Sequence, residues 1–227
     1  MDNKDLTLPE FLDRAKVLLI FSMVGVLILG ILILMLGNED LFLWVNQFLT
    51  PKFGAVSKVL TKLGTFWPMA WLLAISYRRE LRKMLAVLLT WLFGACLSWL
   101  FKLWLMQGAL RPFPYFGQKG IALNVVEGVD IHHYNTFPSG HTLTAFSALL
   151  VYAYVRNEDF KLWQVAVLWF LAIGCGISRL VLVQHWPTDV LGGIFLGILA
   201  ALLAVWVSIR LPQRELFNRS LLSFFPF

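Results

Sequence analysis

The sequence predicts an all-α protein, a bundle of six transmembrane helices with a cluster of polar residues at its extracytoplasmic face. Of 227 residues, 59% are hydrophobic and only 14% are charged, a balance far from that of a water-soluble domain. Apolar stretches approaching the roughly 20 residues that span a hydrocarbon core as a helix recur along the chain. Lysine and arginine collect in the short segments between them, mostly on one face. The ten tryptophans and nineteen phenylalanines suit helices buried in lipid with aromatic belts at headgroup level.

Taken in order, residues 1–16 read as a cytoplasmic or interfacial N-terminal segment, with Leu8-Pro9-Glu10-Phe11-Leu12 as an amphipathic helix start carrying proline in its first turn. The first span, 17–36, is too long for a signal-peptide core. Leu36-Gly37-Asn38-Glu39-Asp40 offers no small-residue cleavage site, so the span reads as a retained helix. The second, about 59–77, contains Lys62 and Pro68; Lys58 and Lys62, one turn apart, can snorkel to the interface. The third runs from 84 to about 103. The fourth, 141–155, is short and has a polar start. The fifth and sixth are 162–183 and 190–209. Residues 17–209 thus form one membrane domain. Residues 210–227 form a cytoplasmic tail whose Leu-Leu and Phe-Phe pairs are too short to span.

With six spans both termini share a side. Lys4, Arg14, Lys16, Arg78, Arg79, Arg82, Lys83, Arg156, Lys161, Arg210, Arg214 and Arg219 fall on it, so the positive-inside rule makes it cytoplasmic, in a cell (inner) membrane. The loop near Pro51, the 111–138 loop and the turn at His185 then lie outside. The net charge of +6 is not spread along a polar basic face, which argues against nucleic acid as a partner. Cys96 and Cys175 sit inside apolar runs and behave as small hydrophobes rather than as a disulfide. No protein partner is readable.

Chemistry concentrates on the outer face. Pro138-Ser139-Gly140-His141 stands directly before the fourth span, a helix N-terminus whose unpaired amides and positive dipole end suit an anion. Ser139 adds a hydroxyl and His141 a proton donor or acceptor, although an ordinary helix cap beside an interfacial histidine reads the same way. Arg179 lies in an apolar run, where an unpaired charge is costly, so it calls for an anionic partner. A phosphate fits guanidinium geometry. Pro187 opens the sixth helix, leaving His185 just before it and Asp189 about three positions in, where its carboxylate can reach back to the imidazole or simply cap the helix. Arg111-Pro112 brings another cation to the same face. His132 and His133, near Glu127 and Asp130, are too irregularly spaced for a metal site; a lid or headgroup-reading role suits that loop better.

These residues resemble the type 2 phosphatidic acid phosphatases, whose motifs are Lys-x6-Arg-Pro, Pro-Ser-Gly-His and Ser-Arg-x5-His-x3-Asp. The second matches Pro138 to His141 and the third matches Ser178, Arg179, His185 and Asp189. The first departs from the pattern: Trp104 stands where the lysine belongs, and the nearest basic residue upstream is Lys102. Two residues turn a helical side chain through about 200°, so Lys102 needs a local change in the backbone to reach the site, which Gly108 is placed to permit. The resemblance implies that His185 attacks phosphorus, Asp189 orients it and His141 protonates the leaving oxygen. Arg111, Arg179, Ser139, the Gly140 amide and Lys102 would bind phosphate. It implies no metal and no other cofactor.

The expected function is therefore hydrolysis of a lipid phosphate or pyrophosphate through a phosphohistidine, the bilayer holding the substrate's tail. Undecaprenyl pyrophosphate, phosphatidic acid, phosphatidylglycerol phosphate and lipid A are all candidate substrates. The lack of a large extra domain inclines slightly toward the polyprenyl pyrophosphate. A lipid-to-lipid phosphotransferase would use the same intermediate. A non-catalytic transporter or binding protein would need the cationic pocket but no nucleophile.

Overall fold

The computed structural model describes residues 7–77, 80–156, 158–211 and 220. Among them every regular element is helical: α1 (Leu8–Leu36), α2 (Asn38–Gln47), α3 (Pro51–Leu60), α4 (Phe66–Ser76), α5 (Leu81–Leu100), α6 (Pro112–Gln118), α7 (Gly140–Val155), α8 (Leu162–Val181) and α9 (Pro187–Arg210). Arg78, Arg79 and nearly all of the predicted 210–227 tail lie outside the described residues.

The first helix begins well before residue 17. Thr7 accepts from the Glu10 amide while the Glu10 carboxylate accepts from the Thr7 amide at 2.7 Å, a capping box that starts a helix. From there α1 runs unbroken for 29 residues. Phe11, Ala15, Leu18, Ser22 and Gly25 form one buried stripe at helical spacing, so the N-terminal turns pack on the same core as the apolar run.

Four helical stretches are long and apolar enough to cross a membrane: Leu8–Leu36, Leu81–Leu105, Leu162–Val181 and Pro187–Arg210. The other two predicted spans differ from them. The second is broken: α3 passes into a tight helical turn, Thr61–Gly64, and α4 leaves at 45°. Pro68 near the start of α4 donates no backbone hydrogen bond, and Thr65 is extended there (ψ −170°), so the chain cannot continue as one α-helix. The fourth, α7, has 16 residues, about 24 Å at helical rise and short for a bilayer crossing. Most of its residues are buried in protein. Its apolar character therefore reflects a central position in the bundle rather than contact with lipid.

Small residues let α9 close on α7. A Cβ on Gly197 would lie 2.5 Å from the Leu143 carbonyl oxygen, and one on Gly193 would lie 2.8 Å from that of Ser139. Gly197→Ala is therefore expected to cost about 1–3 kcal/mol by forcing backbone apart, read as a lower thermal midpoint in detergent. Gly30→Ala in α1, with nothing within 4 Å, should be neutral or slightly stabilising.

At the end of the bundle away from His185, the helices are tied by polar groups. Arg82 donates to the Ile209 carbonyl at 3.2 Å and Ser208 to the Arg82 carbonyl at 2.8 Å. Arg14 donates to the Arg156 carbonyl at 3.0 Å. Arg82 and Lys83, counted above among the charges that orient the chain, are thus buried and bound within the protein.

Candidate active site

The site is assembled where the first turns of α7 and α9 meet the end of α8. Ser139 caps α7, its Oγ accepting from the Thr142 hydroxyl at 2.9 Å and the Thr142 amide at 3.4 Å. Pro138 thus precedes the cap rather than opening the helix. The Ser139 amide donates to the Asp189 carbonyl at 3.0 Å, locking the two helix starts together. Ser139 is fully buried, so it supports the Gly140 end of the helix.

Beyond α8 the chain turns sharply. Val183 adopts φ +56°, a left-handed conformation that is costly for a β-branched residue. The Gln184 and His185 amides both reach the Arg179 carbonyl, at 2.9 and 3.2 Å. This turn brings His185 back to the base of α9. Pro187 begins that helix, and Asp189 Oδ2 accepts from the Trp186 amide at 2.8 Å and pairs with His185 Nδ1 at 3.2 Å. The carboxylate therefore caps the helix and orients the imidazole at once. Both residues are 2% exposed.

Cations surround the free face of that imidazole. Arg111 Nη1 lies 3.4 Å from His185 Nε2 and donates to the Gln184 carbonyl at 2.7 Å, while its Nε donates to the Tyr134 carbonyl at 3.0 Å. Arg179 Nη1 donates to the Thr61 hydroxyl at 2.6 Å. Its buried Nε has no partner, a donor left for an anion. His141 stands in the first turn of α7, within electrostatic reach of Arg179, His185, Lys102 and Arg111. Its backbone rests on the break between α3 and α4, where Gly64 leaves room for it.

Lys102 lies where the helix widens. Residues Phe101–Leu105 form a π-helical turn at the end of α5, with the Met106 amide bonded to the Phe101 carbonyl at 2.7 Å. One extra residue in the turn changes the facing of side chains around it. Lys102 Nζ lies 3.7 Å from where a Gly140 side chain would begin, and Gly108 turns the chain away with φ +76°. The eight residues singled out in the sequence thus lie at the same end of the bundle, around the starts of α7 and α9: Lys102, Arg111, Ser139, Gly140, His141, Arg179, His185 and Asp189.

The 111–138 loop is not a free lid. The Arg111 amide donates to the His133 carbonyl at 2.9 Å, Gln184 Nε2 to the Asp130 carbonyl at 2.9 Å, and the Thr136 hydroxyl to Asp189 Oδ2. Farther out, the Asn124 amide donates to Asn46 Oδ1 at 3.0 Å. His133 stacks on Phe113 at 6.2 Å. Among the described residues, His132, His133, Glu127 and Asp130 do not gather into a metal-ligand cluster. Thr61, Thr136 and Gln184 are contacts that sequence reasoning missed, since each acts through a partner distant in the chain or through its backbone turn.

Burial, reinforced by the nearby Arg111, Arg179 and Lys102 charges, holds the His185 imidazole well below its ordinary pKa, leaving it neutral and able to act as a nucleophile. An unfolded imidazole takes up a proton near pH 6.5 while folded His185 does not. Its contribution to stability is therefore present above that value and is lost as the pH falls below it. The thermal midpoint should fall between about pH 7.5 and about pH 5.5, and less steeply in His185→Gln; equal slopes would contradict this.

Comparison with known proteins gives the chain a family. A family model described as the PAP2 superfamily matches residues 83–212. The chain is 38% identical over 74 residues to a lipid A 1-phosphatase from Porphyromonas gingivalis, covering 33% of this chain and 16% of that protein. It is also 38% identical over 78 residues to a Bacillus licheniformis protein named bacitracin transport permease protein BcrC, covering 34% of this chain and 36% of that one. The matches thus span well under half the length of these curated relatives. Among solved structures, the first transmembrane PAP2-type phosphatidylglycerolphosphate phosphatase from Bacillus subtilis is similar at TM-score 0.57 and 23% identity, covering 86% of this chain and 97% of that chain. That likeness is one of fold.

Proposed function

This chain is an integral membrane protein that belongs to the PAP2 superfamily, and from that premise we propose that it hydrolyses lipid phosphates or pyrophosphates through a phosphohistidine. The observation that carries the reading is the buried His185–Asp189 pair with the Arg111 guanidinium 3.4 Å from Nε2. Asp189 holds Nδ1–H, which leaves the Nε2 lone pair for phosphorus. Arg111, Arg179, Lys102 and the amides at the start of α7 stabilise the charge gathering on the phosphoryl oxygens. As the N–P bond forms, the bond from phosphorus to the leaving oxygen breaks and His141 gives that oxygen a proton. A water then attacks phosphorus, His141 takes its proton, and phosphate departs from His185. No metal is required in this scheme, because the side-chain cations neutralise the charge.

The headgroup would sit in this pocket with the tail in lipid. Undecaprenyl pyrophosphate, phosphatidic acid, phosphatidylglycerol phosphate and lipid A phosphates are the candidate substrates. The basic Arg14, Arg82, Arg156 and Arg210 stand at the opposite end of the bundle, which favours an extracytoplasmic site in the cell (inner) membrane with cytoplasmic termini. The name of the Bacillus licheniformis relative raises a second reading, a carrier for phosphorylated compounds. A buried nucleophile with its orienting carboxylate favours chemistry over carriage.

The deciding experiment incubates purified protein in chelator with that panel of lipids, measures released phosphate, and traps acid-labile phosphate on His185. Release from at least one lipid with label on His185 is expected. No release from any lipid, or release without label, would overturn the proposal. Transfer of the label to an added lipid acceptor in place of water would make the protein a phosphotransferase.

A further inference from the structure

Loop residue Thr136 touches both members of the His185–Asp189 pair. It is 4% exposed, its hydroxyl donates to Asp189 Oδ2, and its backbone is within hydrogen-bonding reach of the His185 ring. The same Oδ2 accepts from the Trp186 amide at 2.8 Å and pairs with His185 Nδ1 at 3.2 Å. A carboxylate torsion is intrinsically broad. Three partners converging on one oxygen confine it, and the one from Thr136 comes from outside α9 and its cap.

The neighbours of Thr136 hold it still. Asn135, at φ +55°, accepts the Gly108 amide on Oδ1 at 3.1 Å. The Tyr134 carbonyl accepts from Arg111 Nε at 3.0 Å. On the other side, the Phe137 ring packs so closely on α9 that a Cβ on Gly192 would lie 2.4 Å from it. The hydroxyl is therefore delivered by a segment pinned on both flanks.

We infer that Thr136 is a positioning residue: it fixes the Asp189 carboxylate so that His185 keeps its proton on Nδ1 and presents Nε2 to the phosphoryl group. The inference rests on the phosphatase reading above. Hydrogen bonds from Thr136 and Trp186 favour the ionised carboxylate, which is the form that can accept Nδ1–H. Without the hydroxyl, the carboxylate gains rotational freedom and is protonated more readily, and the imidazole loses its fixed tautomer.

The test assays Thr136→Val, Thr136→Ala and Thr136→Ser on a lipid phosphate that the wild-type protein hydrolyses, with the thermal midpoint of each measured alongside. Thr136→Val and Thr136→Ala are expected to lose about 10–100-fold in kcat, as for other residues that orient a reacting group, with KM little changed. The acid limb of their kcat/KM profile should move to higher pH, and Thr136→Ser should restore both rate and profile. Wild-type kcat and pH profile in a folded Thr136→Val or Thr136→Ala would overturn the inference. So would a folded Thr136→Ser as impaired as Thr136→Ala. If Thr136→Val does not fold, the alanine and serine variants decide. A wild-type protein that releases no phosphate defeats the phosphatase reading itself, whereas an active wild type matched by these variants defeats only the role of Thr136.

Discussion

Replacing His185 with alanine is expected to lower phosphate release by roughly 10⁴-fold or more, the scale seen when a covalent nucleophile is removed. Neighbouring groups offer no substitute. His141 belongs to the start of α7 and Arg111 to the cap of α6, so neither takes its place on the turn before α9. The pocket would still bind phosphate through Arg111 and Arg179, so the loss belongs to kcat while KM changes little. Asp189→Asn should be milder, because it keeps the helix cap and the shape of the site but loses the charge that accepts Nδ1–H. Parallel thermal melts distinguish lost chemistry from lost folding. A folded His185→Ala protein with kcat within tenfold of wild type would remove His185 from the mechanism.

Gly64→Ala should have the second-largest effect, although Gly64 touches no substrate. A Cβ there would lie 2.4 Å from the His141 carbonyl oxygen and 2.6 Å from its Cα. Those atoms belong to the backbone at the start of α7 and cannot rotate away. The start of α7 must move, taking His141 and the Gly140 amide with it, and a displacement near 1 Å at a reacting group costs about 100-fold. We expect a loss of that order in kcat measured on any lipid the wild type hydrolyses. Gly117→Ala, with nothing within 4 Å, is the control. Equal rates for Gly64→Ala and wild type would show that the start of α7 tolerates the shift.

What was legible in the sequence follows the range of the interactions. Ser139, Gly140 and His141 could be read together because a helix start fixes neighbours in the chain, and Pro187 fixed Asp189 relative to His185 in the same way. The membrane-embedded, all-helical character followed from hydropathy. Hydropathy could not separate contact with lipid from burial in protein, so α7 read as a span although it is mostly enclosed. It also passed over the break at Thr61–Gly64, where a turn of four residues interrupts an apolar run. A polar surface on the first turns of α1 hid the buried stripe of Phe11 and Ala15. Thr61, Thr136 and Gln184 left no periodic or motif signal. Their partners are set by the fold.

The π-helical turn at Phe101–Leu105 has a consequence for how such chains diverge. A widened turn takes in an extra residue while the helix before it keeps its packing against α7 and α9. Gains or losses of a residue at the end of α5 can thus accumulate without dismantling the bundle, and a cation recruited from a different register can supply charge to the same pocket.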